Sequence, residues 1–258
     1  MVDAAEAYSL SRMFPPADRA EFRFDRHYLL YCTAGTMRLE AEGKAWTLPP
    51  SRAAIIVAGQ SIHVTLPQTV MACSALFDRG FIPPPAEALT VINMTPLARE
   101  LILACRIWTD VDKPLDPYAR QLFTTLAAVA SQLAATPSNT AMPLPRSDGV
   151  TAAMRLTEQR IAAAPDFASI ARDVAMTERS LARHFLDEMG MTWRQTLRRL
   201  RVIRAMEILG RGNVSIIEAS YSVGYASPSA FNAAFLEITG QTPSAFRLGI
   251  QGAKLPHD

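Results

Sequence analysis

Two stretches of the C-terminal half share one pattern, and that pattern restricts the fold more than any other feature of the chain. The first runs from Ile170 to Phe185 and the second from Ile217 to Phe235. In each, a small residue (Ala171, Ala219) lets another helix approach closely, and a short turn follows. A polar residue then stands where an N-cap is needed (Thr177, Ser227), and apolar anchors recur four apart (Leu181 and Phe185; Phe231 and Phe235). A short helix, a tight turn and a capped helix with one apolar face make a helix-turn-helix. Capping chemistry marks the second unit independently. Ser215-Ile216-Ile217-Glu218 matches a capping box, and Ser227-Pro228 sets a hydroxyl before a proline at the first helical position. One such match is weak, because helical hairpins are common. Two in tandem, with Ala171 and Ala219 48 residues apart and an Arg-rich helical stretch between them, are specific.

The surrounding text is helical as well. From Val150 onward the spacing predicts helices over 150–163, 167–174, 178–189, 193–210, 216–222, 228–238 and a short turn at 243–249. Stops fall at Ala164-Pro165-Asp166, Met189-Gly190, Gly210-Arg211-Gly212-Asn213, Val223-Gly224-Tyr225 and Thr239-Gly240. A connecting helix from about Trp193 to Leu209 is on the order of 25 Å long, enough to set two second helices roughly 34 Å apart, one turn of B-DNA. Trp193, Leu197, Leu200, Ile203, Met206 and Leu209 are expected to pack inward, leaving Arg194, Arg198 and Arg201 outward for phosphates.

Net charge on 258 residues is only +2, which alone does not announce a nucleic-acid binder. The total hides an asymmetry: residues 1–144 hold 12 basic and 13 acidic side chains, residues 145–258 hold 14 and 11. The excess gathers in Arg194, Arg198, Arg199, Arg201, Arg204 and Arg211, answered by Glu207.

The N-terminal half has another texture. From Phe22 to about Phe77, short runs (28–32, 36–41, 53–57, 63–66) alternate with turns at Ala34-Gly35, Glu42-Gly43-Lys44, Pro49-Pro50-Ser51 and Ala58-Gly59-Gln60, as in a small antiparallel barrel or sandwich. After Pro83-Pro84-Pro85, helical spacing appears at 95–108 and 117–135. A Pro/Ser-rich stretch then separates the halves. The expected fold is α+β in two domains. Residues 1–140 form an antiparallel β-barrel with two helices (about 95–136), 141–149 a linker, and 150–258 an all-α domain whose helix-turn-helix units lie at about 167–189 and 215–238. With 49% hydrophobic residues the chain can bury such cores. No apolar run approaches the roughly 20 residues of a membrane span, and Met1–Ser11 lacks the features of a signal peptide, so the chain reads as cytoplasmic.

Residues 150–248 resemble the DNA-binding domain of the AraC/XylS family of bacterial transcription regulators. Ala171 through Phe185, Arg201-Val202-Ile203-Arg204-Ala205, and then Ile217, Ala219, Val223-Gly224-Tyr225, Ser227, Phe231, Phe235, Gly240, Thr242-Pro243 and Phe246-Arg247 carry the likeness. The β domain, with Gly35, Leu39, Trp46-Thr47-Leu48-Pro49-Pro50, Gly59 and His63, resembles the family's cupin-like sensor domain more loosely. The resemblance implies a sequence-specific, non-enzymatic transcription regulator and signal-responsive activator. Its implied partners are double-stranded promoter DNA, RNA polymerase, a second copy of the chain and a small-molecule effector. It places Arg179, Ser180 and Arg183 of the first recognition helix, and Ser227, Ser229 and Asn232 of the second, against DNA. The sequence departs from the family at Ala233 and Leu236-Glu237, where arginine and lysine are usual, and at Ala175, where a glycine is often found. Readout is therefore expected to lean on the first unit.

Effector contacts are expected from His27, Tyr31, Trp46 and His63 inside the barrel. A cupin metal site takes three histidines and a glutamate; here Asp25-Arg26-His27 replaces the usual H-x-H pair, so neither metal nor cofactor is expected. Cys32, Cys73 and Cys105 are far apart and in no C-x-x-C arrangement, so neither a disulfide framework nor a zinc site is indicated; each is expected as a small buried hydrophobe, with redox sensing the open alternative. Two rival readings remain: a metal-dependent cupin enzyme fused to a DNA-binding domain, and a barrel that only dimerises and binds no small molecule.

Overall fold

The computed structural model describes residues 5–138, 140–163, 165–210 and 214–251. The chain forms two compact units, built chiefly from Met1–Ala41 with Thr47–Ser138 and from Glu42–Trp46 with Asn139–Ala245. Arg211, the expected Gly212-Asn213 turn, Ala164 and the expected domain's last residues, 252–258, lie outside the described residues.

The first unit is antiparallel β with two helices. Its strands are β1 (Ala7–Phe14), β2 (Ala17–Arg23), β3 (His27–Ala34), β4 (Met37–Ala41), β5 (Lys44–Leu48), β6 (Arg52–Ile56), β7 (Ser61–Leu66), β8 (Val70–Phe77) and β9 (Leu89–Asn93). They lie in two sheets, ordered β1-β8-β3-β6-β9 and β5-β4-β7-β2. Two helices follow, α1 (Pro96–Cys105) and α2 (Pro117–Ala134), each opened by a side-chain cap, Thr95 or Asp116, and a proline.

The central strand β3 reads as an unbroken apolar run because both of its faces are buried. Leu29 and Tyr31 pack with Ile55, Phe77, Ile102, Phe123 and Leu126 in the layer shared with α1 and α2, while Tyr28, Leu30 and Cys32 are buried on the other face. Between β4 and β5, Glu42 (φ 50°) and Gly43 (φ 72°) make the tight hairpin that a right-twisted strand pair favours. Gly35 is required by space as well as by φ (81°), since a Cβ there would stand 2.4 Å from the carbonyl oxygen of Thr69.

Three strands were not expected. β1 ends before Phe22 and β2 begins five residues before it; every residue of β2 is exposed, so a charged edge strand (Asp18, Arg19, Glu21) shows no hydrophobic alternation. β9 lies between the proline run and α1, too short to signal itself beside them.

The second unit is helical: α3 (Asp148–Gln159), α4 (Phe167–Asp173), α5 (Glu178–Met189), α6 (Trp193–Gly210), α7 (Ile216–Ser222), α8 (Pro228–Thr239) and α9 (Pro243–Gln251). The stretch expected as a linker, 141–149, is anchored instead. Met142–Pro143 forms a short strand, β10, paired with Lys44–Ala45, Met142 joins the helical core, and Ser147 caps α3. An apolar side chain inside a Pro/Ser-rich stretch was enough to tie it down.

Candidate nucleic-acid interface

Each helix-turn-helix is built from its turn outward. After α4, Ala175 adopts φ 55°; its N–H donates to Arg172 O (3.0 Å) and that of Met176 to Ala171 O (2.9 Å). After α7, Gly224 adopts φ 85°; its N–H donates to Tyr221 O (3.0 Å) and that of Tyr225 to Ser220 O (3.1 Å). The two turns close their helices with the same pair of bonds, one from a left-handed residue and one from its successor. The counterpart of Ala171 is therefore Ser220, 49 residues on, rather than Ala219 at 48; both Ala219 and Ser220 are buried.

One more residue, Ala226, enters the second turn, and from there the units run 50 apart. Thr177 and Ser227 cap α5 and α8 by accepting from the N–H of Ser180 (3.2 Å) and Ala230 (3.3 Å). Leu181 and Phe231, then Phe185 and Phe235, are fully buried anchors, and Gly190 and Gly240 end the helices in left-handed conformation. Phe167 lies 5.1 Å from Trp193 in the first core, and Phe231 lies 5.4 Å from Tyr225 and 5.5 Å from Phe235 in the second. The indole N–H of Trp193 donates to Thr157 Oγ1 (2.9 Å), fixing the start of α6 against α3.

This register pairs Arg179 with Ser229, Ala182 with Asn232 and Arg183 with Ala233. On α5, Arg179 and Arg183 are exposed and Ser180 is partly buried; on α8, Ser229 and Asn232 are exposed, while partly buried Ser227 is occupied as the cap. Leu186 (52% exposed) and Leu236 (47% exposed), also 50 apart, project from the two helices; Leu186 follows Arg179 and Arg183 at helical spacing. Reading the sequence missed this pair because an apolar residue directly after a buried phenylalanine reads as core.

Helix α6 departs from the inward-outward division expected of it. Val202 and Ala205 are buried and Leu197 and Ile203 only partly so, because α6 packs on α3 and α5 as well as on α7 and α8. Its arginines are drawn in accordingly. Arg194 is exposed. Arg198 donates to both carboxylate oxygens of Glu237 on α8 (3.0 and 2.6 Å). Arg201 donates to Ile161 O (3.3 and 3.1 Å) and lies 5.7 Å from the Tyr225 ring centroid. Arg199 donates to Ala141 O (2.7 Å) and Arg204 to Glu207 (2.6 Å). The expected phosphate row is thus largely a set of internal ties.

The first unit holds a cavity of about 760 Å³ between the first sheet and α2. Of the four residues expected to meet an effector, His27 alone among the described residues lines it. Tyr31 is buried in the helix layer, where burial drives its hydroxyl pKa sharply up. Trp46 is buried in β5. His63 stands opposite Glu21 of β2 and Glu40 of β4, on the face of the second sheet away from buried Ile62 and Leu39. Tyr31 shares the face of β3 that carries His27 but stands four residues along the strand, and Trp46 and His63 belong to the second sheet, an arrangement that needed the strand pairing to be seen.

All three cysteines are buried free thiols. Burial pushes their pKa values up, to about 12 for Cys32 and Cys105 and about 11 for Cys73, which leaves little nucleophilic thiolate at neutral pH. Among the described residues no group of three or more His, Cys, Asp or Glu is placed to hold a metal ion, and no helix is long and apolar enough to cross a membrane.

A unit with two capped, solvent-facing recognition helices on one connecting helix defines a DNA-binding transcription regulator. The comparisons agree. Residues 170–249 match the family described as a helix-turn-helix domain. The HTH-type transcriptional regulator NimR of Escherichia coli K12 is 27% identical over 222 residues, covering 84% of this chain and 78% of that protein. The HTH-type transcriptional activator RhaR of the same organism is 33% identical over 75 residues, 29% of this chain and about a quarter (27%) of its own. An AraC-type transcriptional regulator of known structure from Chromobacterium violaceum is 25% identical, with a TM-score of 0.39, over 40% of this chain and 91% of its own.

Proposed function

We propose that this regulator is a signal-responsive, non-enzymatic activator acting in the cytoplasm, which reads promoter DNA chiefly through α5. Arg179 and Arg183 contact base edges in one major groove, each bidentate arginine–guanine pair contributing about 1–3 kcal/mol of discrimination. Leu186 offers an apolar contact to a thymine methyl beside them, and Ser180 and Arg194 hold nearby phosphates. Helix α8 enters the next major groove with Ser229 and Asn232, and mainly positions the domain. Arg198 and Arg201 hold the second unit to α6 rather than meeting DNA.

The single observation that carries this reading is the repeated capped helix at the 50-residue register, with exposed arginines on α5 and serine or alanine at their counterparts on α8. At 18 residues, α6 is about 27 Å long, a span suited to grooves one turn apart. Residues 1–140 serve as sensor and dimerisation domain and 150–258 as DNA-binding domain. Exposed Leu97, Ile107, Val111 and Tyr118 in and around α1 and α2 supply apolar surface for a homodimer. Contact with RNA polymerase follows from the family alone.

Selection of bound sequences from random duplex DNA with the full chain tests the proposal. The expected result is an enriched motif with a strongly specified half and, one helical turn away, a weakly specified half. Recovery of no motif above background would overturn it.

A further inference from the structure

We propose that the cavity between the first sheet and α2 binds a neutral, largely apolar small molecule bearing one hydrogen-bond acceptor, held by the Nε2–H of His27. This rests on the reading of the first unit as a sensor and names the ligand class. The cavity, about 760 Å³, falls within the size range of small-molecule sites. It exists because of a change along α2. Phe123 and Leu126 fill the layer at the middle of that helix, whereas the cavity wall is Ala127, Ala130, Ser131 and Ala134, small side chains that leave room beside Leu29, Ile55 and Phe77. The proline run after Phe81 forms the remaining wall.

The polar group in this apolar space is specific. His27 is 4% exposed, and its Nδ1 accepts the N–H of Ala58 (3.2 Å), so the neutral ring carries its proton on Nε2. Among the described residues no protein group accepts that proton. Burial, and then the Arg79 charge, hold the imidazole pKa below its ordinary 6.5 against the opposing pull of Asp78, so at neutral pH the ring is a donor and not a cation. The lining holds neither lysine nor arginine, and its one carboxylate, Glu87, is exposed to water. An anion would find no counter-charge in the lining itself. A carbonyl-type acceptor on an apolar body matches the Nε2–H and the apolar walls together.

The test follows fluorescence of the neutral apolar probe N-phenyl-1-naphthylamine on the full chain at pH 7.5, and its displacement by 4-phenylbutan-2-one, butylbenzene and 3-phenylpropanoate. The ketone is expected to displace the probe at concentrations about 3–10-fold lower than the hydrocarbon, the range of one net hydrogen bond, and about tenfold or more lower than the carboxylate. Ser131→Trp, at an exposed position of the wall, is expected to weaken probe and ketone about tenfold with the melting temperature kept, as a filled pocket requires. His27→Leu removes the preference of ketone over hydrocarbon; should it not fold, the ligand series and Ser131→Trp decide. Equal displacement by ketone and carboxylate, or unchanged uptake by Ser131→Trp, overturns the assignment. Binding to the selected duplex is measured in parallel. Intact DNA binding with no uptake of probe or ketone overturns the pocket and leaves the regulator standing. Ketone uptake at His27 without DNA binding upholds the pocket and overturns the regulator.

Discussion

Ala175 and Gly224 occupy the same place in two turns, both with positive φ, and their surroundings explain why one can be alanine. A Cβ on Gly224 would lie 2.7 Å from both Arg201 Nη2 and Ile161 O, whereas Ala175 is exposed. Gly224→Ala is therefore expected to cost about 2 kcal/mol or more, through strain and the displaced Arg201. Ala175→Gly is expected to gain about 0.5 kcal/mol, relief of left-handed strain outweighing added chain entropy. Urea denaturation of the two variants reads both signs. Glu188 is a second residue with a defined task. Burial opposes its charge, but the hydroxyl and N–H of Ser147 (2.6 and 2.9 Å) and the N–H of Arg146 (2.7 Å), with His184 at 3.4 Å, outweigh that cost and hold its carboxyl below the ordinary 4.5. A lowered folded-state pKa means stabilisation that is complete above the unfolded value and lost as pH falls through the folded one. Glu188→Gln should thus destabilise by about 2 kcal/mol at pH 7, and thermal melts should show the gap closing below about pH 4.

At the scale of elements, α5 and α8 share one frame and differ in charge. The pair joining Arg198 to Glu237 is exposed on both sides (41% and 63%), so it contributes little to stability. Its interest is electrostatic: Glu237 occupies Arg198 and sets a negative charge beside the second groove. Glu237→Ala is expected to raise non-specific DNA affinity and steepen the salt dependence by up to about one unit of log–log slope, which titrations at several salt concentrations measure. An unchanged slope would place Arg198 away from phosphate. How far these elements were legible depends on whether local chemistry decided them. Most of the helices carry caps, prolines or periodic apolar residues and were read close to their observed ends; α3 stops at Gln159 rather than 163, and α9 is a helix where a short turn was expected. The charged edge strand β2 and the anchoring of Met142 depend on partners distant in sequence. The same limit applied to the sites. The exposed arginines of α5 could be placed from Leu181 and Phe185 alone. The bonding of Arg198 to Glu237 and of Arg201 to Ile161, the true 49- and 50-residue registers and the placing of Trp46 and His63 in the other sheet from His27 needed helix packing and strand pairing.

For the whole molecule, a net charge of +2 conceals a division of labour. The positive excess lies in the helical half, and much of it is spent on internal bonds: Arg198, Arg199, Arg201 and Arg204 all have protein acceptors. On the proposed reading a few exposed arginines remain for DNA, so non-specific affinity is expected to be modest and discrimination concentrated. The central claim is that α5 carries base readout and α8 chiefly positions the domain. Equilibrium binding of the full chain to its selected duplex, at one fixed salt concentration, tests it with Arg179→Ala, Arg183→Ala, Ser229→Ala and Asn232→Ala side by side. Each arginine variant is predicted to lose about 5–150-fold in specific affinity, and each α8 variant less than about fivefold. Arginine variants that bind like the unaltered chain, or α8 variants that lose more than they do, would contradict it.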